Sequence, residues 1–154
     1  MYILPLSKGM SYINILGFSI SSNEIYVSTF NKNERSLVIE KFVLSNDSGE
    51  ALRELYNYIQ MIIKRFTEID RLILEIASNG QRSPSIERVK AEGIIDLAIS
   101  DFGYAVKLTK IKTQKTKKKF KELPKHPLWA SFNEVRYSSK SQQVIAYLLL
   151  EEII

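Results

Sequence analysis

Between Lys107 and Lys125 nine lysines stand against a single acid, Glu122, so this segment carries +8 while the rest of the chain carries −3 of a net +5. Charge placed so unevenly makes one basic face that attracts phosphate groups, not a uniformly basic surface. Two readings fit: the lysines touch nucleic acid, or they form a solvated basic loop. Trp129, Phe132 and Tyr137 follow the run. Aromatic rings beside lysines can stack on unpaired bases, and they can equally anchor a long loop to a core. His126, between Lys125 and Pro127, suits either a general base or an ordinary surface histidine. With no cysteine and a single histidine, disulfides, thiolate metal sites, cysteine nucleophiles and a multi-histidine zinc site within a monomer are excluded.

The chain that must position these groups has 154 residues, 45% hydrophobic and 25% charged, which is the composition of one globular domain with a sizeable core. A single domain over residues 1–154 is expected. No stretch reaches the roughly 18 apolar residues of a membrane span, and MYILPLSKGM lacks the basic start and apolar run of a signal peptide. The expectation is a cytoplasmic protein without a membrane partner.

Residues 13–20, INILGFSI, mix apolar and β-branched side chains and stop at Ser21-Ser22-Asn23, a largely buried first strand followed by a tight turn. EIYVSTF at 24–30 alternates, and SLVIEKFVL at 36–44 supplies a third strand, completing an antiparallel meander. Asp47 with Glu50 three residues on predicts a helix start. Leu52, Leu55, Tyr56, Ile59, Ile62, Ile63 and Phe66 then recur at helical spacing. RLILEI at 71–76 is a fourth strand. Ser83-Pro84 opens a second helix, on which Ile86, Val89, Gly93, Ile94 and Leu97 share a broad face, with Gly93 permitting close approach to a neighbour. YAVKLT at 104–109 predicts the fifth strand. Residues 110–137 form a basic long loop with a helical turn, and a last helix covers about 139–152. The fold class is α/β: a five-stranded mixed sheet of three antiparallel strands, then alternating strand and helix, with helices on both faces. Strands four and five run parallel beside the first.

That order is the ribonuclease H order, and particular segments sharpen the comparison. ILGFS at 15–19 resembles the first strand of RuvC-type Holliday-junction resolvases, which reads like ILGID. LILEIASN at 72–79 resembles their fourth strand, which ends in a catalytic Glu. RVKAEGIIDLAIS at 88–100 is similar to the following helix with its central glycine, and YAVKLTKIKTQKT at 104–116 to the fifth strand and the lysine-bearing segment after it. SSKSQQVIAYLLL at 138–150 lies where the family has an Asp-rich helix start. The resemblance spans residues 13–150 and extends to small bacterial RuvC-like proteins.

Enzymes of this kind use several carboxylates to hold two divalent ions that activate water and stabilise the leaving oxygen. Carried over residue by residue, the resemblance puts Ser19 at the position of the first-strand Asp and lets Glu75 retain the fourth-strand Glu. Ser139, Ser141, Gln142 and Gln143 fall in the region of the final acids. One carboxylate therefore carries over. Glu24, Glu87, Asp96, Glu151 and Glu152 are poorly placed to compensate, and Glu75 suits a structural bond to a nearby cation as well as it suits a metal.

Three functions remain open. The leading one is a catalytically impaired RuvC-like domain that binds nucleic acid, DNA or RNA, through Lys110, Lys112, Lys115, Lys117, Lys118, Lys119 and Lys121, and uses no cofactor. The second is an active Mg²⁺- or Mn²⁺-dependent structure-specific nuclease centred on Glu75. The third is an interaction or dimerisation module without nucleic-acid binding, a homodimer for example, that uses the exposed parts of the long loop or of the last helix, YLLLEEII.

Overall fold

The computed structural model describes residues 14–31, 36–77 and 85–114. β1 (Asn14–Ser21), β2 (Glu24–Asn31) and β3 (Ser36–Val43) form the expected meander, with β2 antiparallel to both of its neighbours. After α1 (Gly49–Lys64), β4 (Arg71–Ile76) returns to lie parallel to β1. α2 (Ile86–Asp101) then leads through a short 3-10 turn, Ala105–Lys107, to β5 (Leu108–Lys112), parallel to β4. The sheet order is β3-β2-β1-β4-β5. This is the mixed five-stranded α/β architecture expected from the sequence.

Strand alternation sends two sets of side chains to opposite faces. Leu16, Phe18 and Ile20 of β1, Ile25 and Val27 of β2, and Leu72 and Leu74 of β4 meet Leu55, Ile59, Ile62 and Ile63 of α1 and Ala91, Ile95, Ala98 and Ile99 of α2 in one core. The two described helices thus lie together on this face, tied by Tyr56 Oη donating to Asp101 Oδ2 (2.5 Å) and Gln60 Nε2 to the carbonyl of Ala98 (3.2 Å). The helix expected over 139–152 lies outside the described residues. On the second face Ile15, Phe30 and Ile73 are fully buried as well. The start of β4 is fixed beside β1 by Asn14, whose carbonyl accepts from the Asp70 N–H (2.9 Å) and whose Nδ2 donates to the Glu68 carbonyl (3.1 Å). Among the described residues no helix is long and apolar enough to cross a membrane.

Local details depart from the sequence reading at three places. The cap of α1 is Ser48, whose side chain accepts from the Ala51 N–H, while Asp47 pairs with Lys90 of α2 at 2.9 Å. The buried face of α2 is Ala91, Ile95, Ala98 and Ile99; of the expected face, Ile94 is partly buried against the core, while Ile86 at 68%, Val89 at 51% and Leu97 at 49% exposed turn outward. A Cβ added at Gly93 would meet nothing within 4 Å, so that glycine serves no close approach. Finally, β5 begins at Leu108. Gly103 at φ +87 ends α2 in a conformation side chains disfavour, and the turn that follows leaves Val106 in solvent and lets Lys107 Nζ reach the Ile69 carbonyl at 2.9 Å. Lys110 and Lys112 therefore belong to a strand and not to the long loop expected from residue 110.

Candidate functional site

The parallel ladder of β1 and β4 runs from Ile15 beside Arg71 to Phe18 beside Leu74. One step further along each strand stand Ser19 and Glu75, both directed to the face away from α1 and α2. Ser19 is opposite Tyr26 of β2, and Glu75 is opposite Ile111 of β5. Tyr26, Ser19, Glu75 and Ile111 thus make one row across the sheet, and none is more than 5% exposed. The structure brings Ser19 and Glu75 together, in the juxtaposition that the first and fourth strands require. Ser28, one row along beside Gly17, is buried too. The hydroxyls of Ser19 and Ser28 have no hydrogen-bond partner among the described residues.

A carboxylate that is fully buried needs a compensating charge, and Arg88 supplies it. Ser85 caps α2 by accepting from the Arg88 N–H, and from this first turn the guanidinium reaches back over the ends of β1 and β4. Nη1 donates to the Ile20 carbonyl at 2.7 Å and Nη2 to the Glu75 carbonyl at 3.4 Å. Arg88 therefore satisfies strand carbonyls just where the β1–β4 ladder has stopped. Nη2 also lies 3.9 Å from Glu75 Oε1, and Nε donates to Glu92 Oε2 at 2.9 Å. The same Glu92 oxygen accepts from the Ala77 N–H at 3.0 Å. The Arg88 side chain is 12% exposed and Glu92 15%. A mostly buried cation thus sits between two carboxylates.

The described part of this site does not fit a pair of divalent ions. Such ions need several carboxylate oxygens that they can approach. Here one carboxylate faces the row, a guanidinium stands 3.9 Å from it, and its neighbour on β1 is a buried hydroxyl. Among the described residues no three acidic or histidine side chains gather around one point. Glu24 is engaged by Lys41 at 2.9 Å, which holds its carboxyl below the usual range through their hydrogen bond. Glu87 is exposed at the start of α2, and Asp96 pairs with Lys110. Ser139, Ser141, Gln142, Gln143, Glu151 and Glu152 lie outside the described residues.

The lysines divide. Lys110 and Lys112 alternate with Ile111, so they project from the face that carries α1 and α2, opposite to Ser19 and Glu75. Lys110 Nζ is 2.5 Å from Asp96 Oδ2, whereas Lys112 is exposed. Lys115, Lys117, Lys118, Lys119 and Lys121 lie outside the described residues, as do His126, Trp129, Phe132 and Tyr137. Sequence reasoning missed Arg88 and Glu92. The available signal was their i,i+4 spacing, which on an unplaced helix reads as a surface pair.

No protein-family model and no curated protein matches the sequence. Solved structures do. T. thermophilus RuvC in complex with Holliday junction substrate matches with a TM-score of 0.68 at 12% identity, covering 88% of this chain and 89% of that one. A second structure of Thermus thermophilus RuvC matches with a TM-score of 0.54 at 11% identity, covering 88% and 90%. The chain has the ribonuclease H-like fold of the RuvC Holliday junction resolvases.

Proposed function

We propose that this chain binds nucleic acid on a RuvC-like frame, and that an internal ion pair stands in it where resolvases hold metal ions. The observation that carries the reading is Arg88. Its guanidinium is 3.9 Å from Glu75 Oε1, so the one carboxylate retained in the row already has a fixed positive neighbour, and a divalent ion brought to Glu75 meets that charge at close range. Ser19 adds a neutral oxygen where a second anionic ligand is needed. Affinity then comes from phosphate contacts made by the lysines from Lys112 onward, with little sequence preference. Likeness of fold to a protein seen with a Holliday junction supports nucleic acid as the partner.

The test is a titration of labelled single-stranded, duplex and four-way-junction DNA, with matching RNA, at two salt concentrations, alongside incubation with Mn²⁺. Binding that weakens with salt, and no cleavage by either wild type or Glu75→Gln, is the expected result. Cleavage that Glu75→Gln abolishes would establish the active nuclease instead. Absence of binding even at low salt would turn attention to the exposed apolar stripe of Ile86, Val89 and Leu97 on α2 as a protein-binding surface.

A further inference from the structure

One cleft belongs neither to the Ser19–Glu75 row nor to the lysine segment. It has a volume of about 370 Å³ and opens where the β1–β2 turn, the loop between β3 and α1, and the first turns of α2 converge. Its floor is apolar: Ile20, Ile25, Leu44 and Ala91. Its rim is a collar of amides and hydroxyls, Asn23, Ser45, Asn46 and Ser85, with Glu87 as the one charged side chain among the described lining residues.

The walls are braced. The Leu44 N–H donates to the Asn23 carbonyl at 2.8 Å, which joins the turn to the β3–α1 loop. The ion pair of Asp47 with Lys90 joins that loop to α2 at 2.9 Å. Within this frame the Asn23 side-chain amide has no hydrogen-bond partner among the described residues. Asn46 Oδ1 accepts from the Ser48 N–H at 2.8 Å, which orients the amide, and Nδ2 donates to Ser45 Oγ at 3.5 Å with its second N–H at the rim.

We infer that this cleft binds a single nucleobase, its ring on the apolar floor and its edge read by the amides of Asn23 and Asn46. The chemistry selects this class. Among the described lining residues an anion would find Glu87 and no cation, and an aliphatic ligand would leave the amide collar unused. A flat heteroaromatic ring with donors and acceptors on its edge uses both parts, since side-chain amides match base edges and apolar surfaces accept base faces. The volume accommodates a base with its sugar, and because a paired base has its edge already engaged, reading that edge by the amides selects unpaired bases. The base comes either from a free nucleoside or from an unpaired position in a strand. The strand source rests on the nucleic-acid reading above. Ser85 caps the turn that bears Arg88, and Ile20 gives Arg88 its carbonyl, so the cleft shares a wall with the Arg88–Glu75 site.

Two measurements on the full chain decide the matter. The first is an NMR titration of the ¹⁵N-labelled protein with adenosine, guanosine, cytidine and uridine, with ribose as control. The second compares a duplex carrying one extrahelical base with the same duplex abasic at that position, for wild type, Asn23→Ala and Asn46→Ala. Nucleosides, and not ribose, are expected to move the side-chain amide signals of Asn23 and Asn46. The abasic duplex is expected to bind about tenfold more weakly, a difference that both variants erase. Shifts with nucleosides but equal affinity for the two duplexes would assign the cleft to free nucleosides. An abasic penalty erased by the variants but no nucleoside shifts would assign it to bases within a strand. Neither shifts nor an abasic penalty would overturn the proposal, even if duplex binding is strong. If no nucleic acid binds at low salt, the nucleic-acid reading fails on its own, and the nucleoside titration still judges the cleft.

Discussion

A guanidinium 12% exposed, shared between Glu92 and Glu75, is a charge whose removal does more than delete a pairing. It leaves two carboxylates in a poorly hydrated place, a situation that destabilises a fold by about 3–5 kcal/mol. Arg88→Met is expected to lower the unfolding free energy by roughly 3 kcal/mol in urea denaturation. Adding Glu75→Gln should then recover part of that loss, giving a coupling of at least about 1 kcal/mol in the double-mutant cycle. Strict additivity would mean that the 3.9 Å approach of Arg88 to Glu75 has no energetic content. At this scale the sequence is half legible. A Glu ending an apolar strand, one step beyond the ladder from a hydroxyl at the end of another, can be read from strand length and order. Arg88 cannot, because an arginine in a first helical turn is ordinarily solvated, and nothing local announces that its helix leans over the ends of two strands.

Elements are legible where one pattern dominates and misleading where two compete. On α1 the stripe through Leu55, Ile59, Ile62 and Ile63 has no rival, and it is buried. On α2 two apolar faces compete: Ile86, Val89 and Leu97 lie outward, while the inward face joins Ile95 and Ile99 to Ala91 and Ala98, whose small size lets the helix sit close beside α1 but dilutes the hydrophobic signal. The start of α1 offers a direct test of which residue caps it. Ser48→Ala should cost about 1 kcal/mol across the whole pH range. Asp47 acts differently. The hydrogen bond from Lys90, followed by the Lys90 charge, holds its carboxyl below the ordinary 3.8. Its contribution is therefore complete above that ordinary value and is lost as pH falls through the depressed one. Stability curves of Asp47→Asn and wild type should converge in acid while that of Ser48→Ala stays offset. Convergence of the Ser48→Ala curve instead would return the cap to Asp47. The start of β5 misleads for a related reason: YAVKLT alternates convincingly, yet Val106 is 93% exposed, because the glycine-ended helix needs a turn before the chain can rejoin the sheet.

For the molecule as a whole, positive charge that is paired within the described fold can be told apart from the positive surplus that the sequence concentrates in one segment. Among the described residues Lys41, Arg65, Arg88, Lys90 and Lys110 each have an acidic partner within 2.9 Å, while the surplus of lysines in the sequence falls between Lys107 and Lys125. Binding to nucleic acid should reflect this division. Replacing Lys117, Lys118 and Lys119 by Gln is expected to reduce the slope of log K against log salt by roughly 2 to 3, at about 0.7–0.9 for each phosphate no longer neutralised. Lys110→Gln should leave the slope unchanged, since Asp96 already holds that ammonium. The reverse order would locate the phosphate-binding lysines on β5.

The position of β1 has one more consequence. It pairs antiparallel with β2, its immediate successor, and parallel with β4, which returns only after β3 and α1 have intervened. Pairing that is local in the chain forms with little loop-closure entropy, whereas the distant parallel pairing must wait for a long loop to close. Arg88 comes later still, since its place exists only once β1 and β4 are side by side. Its interactions should be absent from the folding transition state, so Arg88→Met ought to raise the unfolding limb of the chevron and barely move the refolding limb. A slowed refolding limb would show that the guanidinium is already seated at the barrier. With Arg88 seated only after the barrier, the ion pair over the strand ends sets how long the native state lasts once formed and has little say in how quickly the chain reaches it.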